Sequence, residues 1–123
     1  MARVVAVFDD LLLGSNVLGM LRAAGHEAEL AGRPDAVRAA GAQVLVVDLA
    51  SGGFDGVALV EALRGRGELA GTRTLGVYSH VDDATRRRAR GAGFDLVVPR
   101  SRMAREGPAL VAGLLQPKDT GPV

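Results

Sequence analysis

Gln43-Val44-Leu45-Val46-Val47-Asp48-Leu49 is the stretch on which the fold turns. Four consecutive aliphatic residues, three of them β-branched, suit a strand covered on both faces, as strands of a parallel sheet are. Apolar runs of this kind do not normally close on an unpaired acid, yet Asp48 stands where the strand should end. In an open parallel sheet, ligands bind in the crevice outside the carboxyl ends of the strands, so Asp48 is expected to face that crevice.

Upstream, Arg3 to Phe8 is a second aliphatic strand that runs into Asp9-Asp10. Leu13, Val17, Leu18, Leu21 and Ala24 then recur at three- and four-residue intervals, which predicts a helix from Leu11 to Ala24 stopped by Gly25. Glu27 to Ala31 alternates charged and apolar residues, the pattern of a strand near a sheet edge. Pro34 at a first helical position predicts a short helix from Asp35 to Ala40, ended by Gly41.

Downstream, Ala50 to Phe54 reads as a loop. Asp55 reads as the cap of a helix whose residues Val57, Leu59, Val60 and Leu63 face inward as far as Gly65. A fourth strand runs from Thr74 to Tyr78, and Ser79-His80-Val81 turns the chain. Asp82-Asp83 opens a helix through Arg90, with acids at its positive end. Asp95 to Val98 is a brief fifth strand, and Met103 to Leu115 a last helix that carries Pro108 awkwardly. Residues 1–116 form one domain in this reading, and 117–123 a frayed tail. Strands alternating with helices over short connections imply a doubly wound parallel sheet covered on both faces, a three-layer α/β/α fold.

Composition narrows the function. The absence of cysteine excludes thiol catalysis, disulfides and zinc–thiolate sites. The first apolar segment meets Asp9 too soon for a secretion signal, and no run is long enough to span a membrane, so a soluble cytoplasmic protein is expected. A net charge of +1 provides no field to attract nucleic acid or an anionic membrane, and the few aromatic residues offer no stacking platform. Arg86-Arg87-Arg88 reads as a solvated helix face, and His26 and His80 as surface residues without ligand spacing. Acids in the first turn would repel a pyrophosphate, and Gly52-Gly53 lacks the Lys-Ser/Thr of a nucleotide loop.

Asp9 after the first strand, Asp48 after the third and Asp55-Gly56 seven residues on resemble the receiver domain of two-component response regulators. Leu21 to Gly25, Gly91 to Asp95 and Val97 to Ser101 extend the likeness over Arg3 to Leu115. The resemblance implies a flavodoxin-like sheet of order 2-1-3-4-5. It also implies a phosphoryl group passed from a histidine kinase, or a small phosphodonor, to Asp48. It further implies a magnesium ion on Asp9, Asp48 and the backbone carbonyl of Ala50. Asp10 joins that set only if the turn is displaced by one residue.

This chain departs from the family pattern in several places. Phe8 stands where the family has the first of two adjacent acids. The hydroxyl position after the fourth strand falls on Tyr78, or on Ser79 across a one-residue gap. Arg100 replaces a lysine and Ser101 a proline, while Val97 replaces the aromatic of the fifth strand. Ser51-Gly52 replaces a Met-Pro pair, which predicts a looser loop.

Two functions follow from the resemblance. The first is a stand-alone, non-enzymatic signalling module that accepts a phosphoryl group on Asp48, with Ser79 and Arg100 holding it. The second is a pseudo-receiver, a protein-binding scaffold indifferent to phosphorylation. Either would engage a histidine kinase or another signalling protein, or a second copy of itself, through the face of the fourth helix, fifth strand and fifth helix. A small cofactor-binding enzyme of flavodoxin-like fold is a third reading.

Overall fold

The computed structural model describes residues 2–79 and 83–116. The tail expected at 117–123, and His80 to Asp82 of the expected turn, lie outside the described residues. The chain runs β1 (Arg3–Val7), α1 (Leu11–Ala23), β2 (Glu27–Ala31), a single 3₁₀ turn (Pro34–Ala36), β3 (Val44–Asp48), α2 (Gly56–Gly65), β4 (Arg73–Tyr78), α3 (Asp83–Gly91), β5 (Leu96–Pro99) and α4 (Arg100–Leu115). The strands form one sheet, β2-β1-β3-β4-β5, parallel at every pairing. The doubly wound, three-layer architecture of order 2-1-3-4-5 is thus present.

Strand alternation divides the core into two. Val4, Ala6, Phe8, Val44, Val46, Leu75, Val77 and Val98 pack under α1 and α4, with Val17, Leu21, Met103 and Val111. Val5, Val7, Leu45 and Val47 pack under α2 and α3, with Val57, Val60, Leu63, Ala89 and Phe94. All of β3 is buried, as a run of aliphatics between two helical layers requires. Gly14 lets α1 approach the sheet, since a Cβ there would lie 3.1 Å from that of Phe8. Gly25, at φ 93°, supplies the left-handed turn that leads from α1 into β2.

The helix expected over Asp35 to Ala40 is absent, leaving four α-helices rather than five among the described residues. Val37 is extended at φ −75° and ψ 131°. Val37 and Ala39 are buried while Arg38 and Ala40 are exposed, the two-residue period of an extended segment. Arg3 donates from Nη1 to the Ala40 carbonyl and from Nη2 to that of Arg38, so side chains satisfy what a helix would have bonded. The last helix begins at Arg100 rather than Met103 and continues through Pro108.

Candidate functional site

The pairing register assembles a row of residues at the carboxyl rim. Asp48 lies opposite Val77, and Val77 opposite Val98. These share the face beneath α1 and α4. Arg100, two residues beyond Val98, leaves the chain toward the same side. Its Nη2 stands 3.2 Å from Asp48 Oδ2 and 3.4 Å from Oδ1. The Ala50 amide donates to Asp48 Oδ1 at 2.9 Å and curls the loop back over the carboxylate. The Asp48 side chain is 0% exposed and that of Arg100 38%. Burial, the largest influence, raises the Asp48 carboxyl above its ordinary pKa. The Ala50 N–H and Arg100 act against it, and the negative charge of Asp9 adds to it.

β1 ends one residue short of this row. Val7 pairs with Val47, so Phe8 continues beside Asp48 on the same face, wholly buried where a second acid would stand. Asp9 is exposed, and its Oδ2 occupies the space that a Cβ on Gly53 would need, so it overhangs the loop that follows Asp48. Asp9 and Asp48, distant in sequence, therefore meet at one rim. Asp10 does not join them. Its Oδ1 accepts from the Leu13 amide at 3.1 Å, which makes it the N-cap of α1.

Tyr78 closes β4 and is buried, and alternation sends its side chain off the face that carries Asp48. Ser79 is half-buried, one residue past the strand. Of the expected donors of a magnesium ion, Asp9 and Asp48 lie at the same rim. Asp48 already accepts on both oxygens, Asp10 caps a helix and Phe8 is apolar. Among the described residues no group of three or more His, Cys, Asp or Glu could hold a metal ion. Asp9 and Asp48 are the two carboxylates that this rim offers a hard divalent cation, and the buried one lies against a guanidinium.

A second feature escaped sequence reasoning. Arg88 donates to Asp55 Oδ2 at 2.7 Å, while Asp55 Oδ1 caps α2 at the Ala58 amide. The hydrogen bond from Arg88, followed by that from Ala58, holds the Asp55 carboxyl below its usual range. This pair ties α2 to α3 across a cleft of about 220 Å³ floored by Leu49, Phe54 and Val57. Within the arginine run, Arg86 also pairs with Asp83, so two of these cations are engaged rather than simply solvated. His26 is half-buried, with a shielded Nδ1. No sequence signal distinguishes Arg88 from Arg87, since only the helix phase does so.

The fold is that of response regulator receiver domains. The receiver domain of response regulator 1452 from Francisella superposes with a TM-score of 0.80 at 16% identity, over 94% of this chain and 97% of that one. A CheY-like receiver domain protein from Methanospirillum hungatei gives 0.79 at 18%, over 94% of each chain. The signal receiver domain of NarL from Mycobacterium tuberculosis gives 0.76 at 22%, over 93% and 95%. At these identities the likeness is one of fold. No protein-family model matches the sequence, and no curated protein does. Among the described residues, no helix is long and apolar enough to cross a membrane.

Proposed function

We propose that this chain is a cytoplasmic, non-enzymatic signalling module of receiver fold that works through protein contacts without accepting a phosphoryl group. The observation that carries this reading is the state of Asp48: no exposed side-chain surface, both oxygens against Arg100, and one held by the Ala50 amide. A carboxylate nucleophile must reach the phosphorus in line, beside a cation that neutralises the incoming oxygens. Here each of its oxygens already accepts from a neighbouring group, and Phe8 stands where the acid that would help recruit a metal is expected. The contact face is α3–β5–α4, and its occupant is a signalling protein such as a histidine kinase, or a second copy of the chain.

The convergence of Asp9 and Asp48 favours a second reading, a phosphoryl-accepting receiver. Incubation with acetyl phosphate and magnesium, followed by intact-mass measurement, separates the two. No gain in mass and no amide shifts on adding beryllofluoride are expected. A gain that disappears in Asp48→Asn would establish the phosphoryl-accepting receiver instead.

A further inference from the structure

The arginines of this chain are not spread evenly over its surface. We propose that the α3–β5–α4 face docks an acidic polypeptide, a segment in which Asp or Glu flanks apolar residues, rather than a second copy of the chain. The inference deepens the contact-face reading above and rests on it.

The charge lies in two separate stretches, and the fold brings them together. α3 carries four arginines between Arg86 and Arg90 against one acid, Asp83, and α4 carries three between Arg100 and Arg105 against one acid, Glu106. β5 has no charged residue. It is the last strand of the sheet, and α3 and α4 pack against it from opposite faces, through Ala89 and Met103. The two arginine clusters thereby flank one sheet edge. Five positive charges in excess collect there in a chain whose total is +1, so the remainder is net negative and the molecule has a cationic end to orient toward a partner.

Internal pairing leaves part of this charge available. Arg100 is held by Asp48 and Arg88 by Asp55, and Asp95, just before β5, is engaged by the Thr74 amide and hydroxyl. Glu106 is shared by Arg102 at 3.6 Å and Arg105 at 3.8 Å, and the Arg105 side chain stays 70% exposed. Arg87 and Arg90 are exposed and have no ion-pair partner among the described residues. Between the clusters Leu96, Val97 and Pro99 are half-buried, an apolar strip with a cationic rim on each side. The complement of such a surface is apolar side chains flanked by carboxylates.

Other occupants fit less well. A symmetric dimer through this face would set it against itself, arginines to arginines. A single-stranded nucleic acid would find no aromatic side chain on α3, β5 or α4 to stack on, and Asp83 and Glu106 would lie against its phosphates.

A synthetic peptide with Leu spaced between Glu residues, titrated into the isotope-labelled full chain, tests this, with a Lys/Leu peptide of the same length as control. The Glu/Leu peptide should shift the amides of Arg87, Val97 and Arg105 and bind more weakly as salt is raised, and the Lys/Leu peptide should not bind. Arg87→Glu/Arg90→Glu should weaken binding on the order of tenfold or more. Arg33→Glu/Arg38→Glu, the same charge change beyond β2 at the opposite sheet edge, should alter it little. Should α3 not tolerate the reversal, Arg102→Gln/Arg105→Gln makes the same test on α4. The proposal is overturned if the two reversals weaken binding equally, if the shifts fall outside α3, β5 and α4, or if the Lys/Leu peptide binds as well. It is also overturned if an oligonucleotide binds this face more tightly than the peptide, or if the chain dimerises through it and Arg87→Glu/Arg90→Glu abolishes the dimer. Peptide binding elsewhere, with no gain in mass from acetyl phosphate, would overturn this inference and leave phosphorylation-independent signalling standing; binding at this face together with such a gain would do the reverse.

Discussion

The Asp48–Arg100 pair is unequal, and its two halves should respond differently to substitution. Asp48 has 0% side-chain exposure and Arg100 38%, so the carboxylate cannot regain water while the guanidinium can. Arg100→Ala leaves a buried charge with the Ala50 amide alone. Removing one partner of a fully buried pair costs roughly 3–5 kcal/mol, and the half-open rim reduces this to about 1–2 kcal/mol. Asp48→Asn keeps an oxygen for the Ala50 amide and frees Arg100 to turn outward, so it should be neutral or stabilising by up to about 1 kcal/mol. The two variants should therefore melt roughly 5–10 °C apart at pH 7, which circular dichroism measures directly.

Acid should close that gap. Because burial raises the Asp48 carboxyl above its unfolded value, its contribution to stability is fully present below the ordinary carboxylate range and is lost as pH rises through the raised value. Arg100→Ala removes an opposing influence and raises the carboxyl further, so its deficit should be largest near neutrality and shrink as Asp48 protonates. In an Asp48→Asn background, Arg100→Ala should cost little. Equal destabilisation by Asp48→Asn and Arg100→Ala, or a deficit unaffected by acid, would refute the reasoning.

Other expectations rest on separate contacts. Gly56→Ala should destabilise by about 1–3 kcal/mol, because the new methyl would lie 2.7 Å from Val47 Cγ1 and 3.0 Å from the Asp48 carbonyl; the denaturant midpoint should fall with an unchanged slope. Asp10→Ala should cost about 1 kcal/mol through loss of the α1 cap, read as faster amide exchange at Leu13. Asp55→Ala should lower the melting temperature more than Arg88→Ala, since it removes the α2 cap as well as the link to α3. The Asp55 carboxyl sits below its usual range, so its stabilisation is present above the ordinary carboxylate value and lost as pH falls through the lowered one. The deficit of Asp55→Ala should thus fade in acid.

Much of this arrangement is legible in the chain, because periodicity reports which faces are covered. Val44 to Val47 close on Asp48 as a both-face strand does, and Leu13, Val17 and Leu21 carry the helical phase of α1. What stayed hidden depends on who bonds to whom. Asp35 to Ala40 has the composition of a helix, but the carbonyls of Arg38 and Ala40 are taken by Arg3, more than thirty positions away. Asp9 and Asp10 are the same residue type at adjacent positions, and only the entry angle of α1 makes one a cap and leaves the other at the rim. Leu69, in a connection full of glycines, is buried against the α2 side of the core, which no local pattern signals.

A switch needs an element with two arrangements and a ligand that distinguishes them. At this rim the candidates for motion are few. Val97, half-buried on the edge strand where the family resemblance puts an aromatic, is β-branched and stiff at χ1, so it has no large ring to swing inward. Tyr78 is buried on the other face of the sheet. What remains is Arg100, and it is already bonded to the group that a phosphoryl would have to modify. A module held in one arrangement presents its partner with a fully populated surface and loses no affinity to an unfavourable conformational equilibrium, whereas a switch binds only through the fraction that is competent. On the proposed reading, the Asp48–Arg100 pair also ties the start of α4 to the end of β3, and control of such a protein would come from its concentration or its partner rather than from a covalent mark on Asp48.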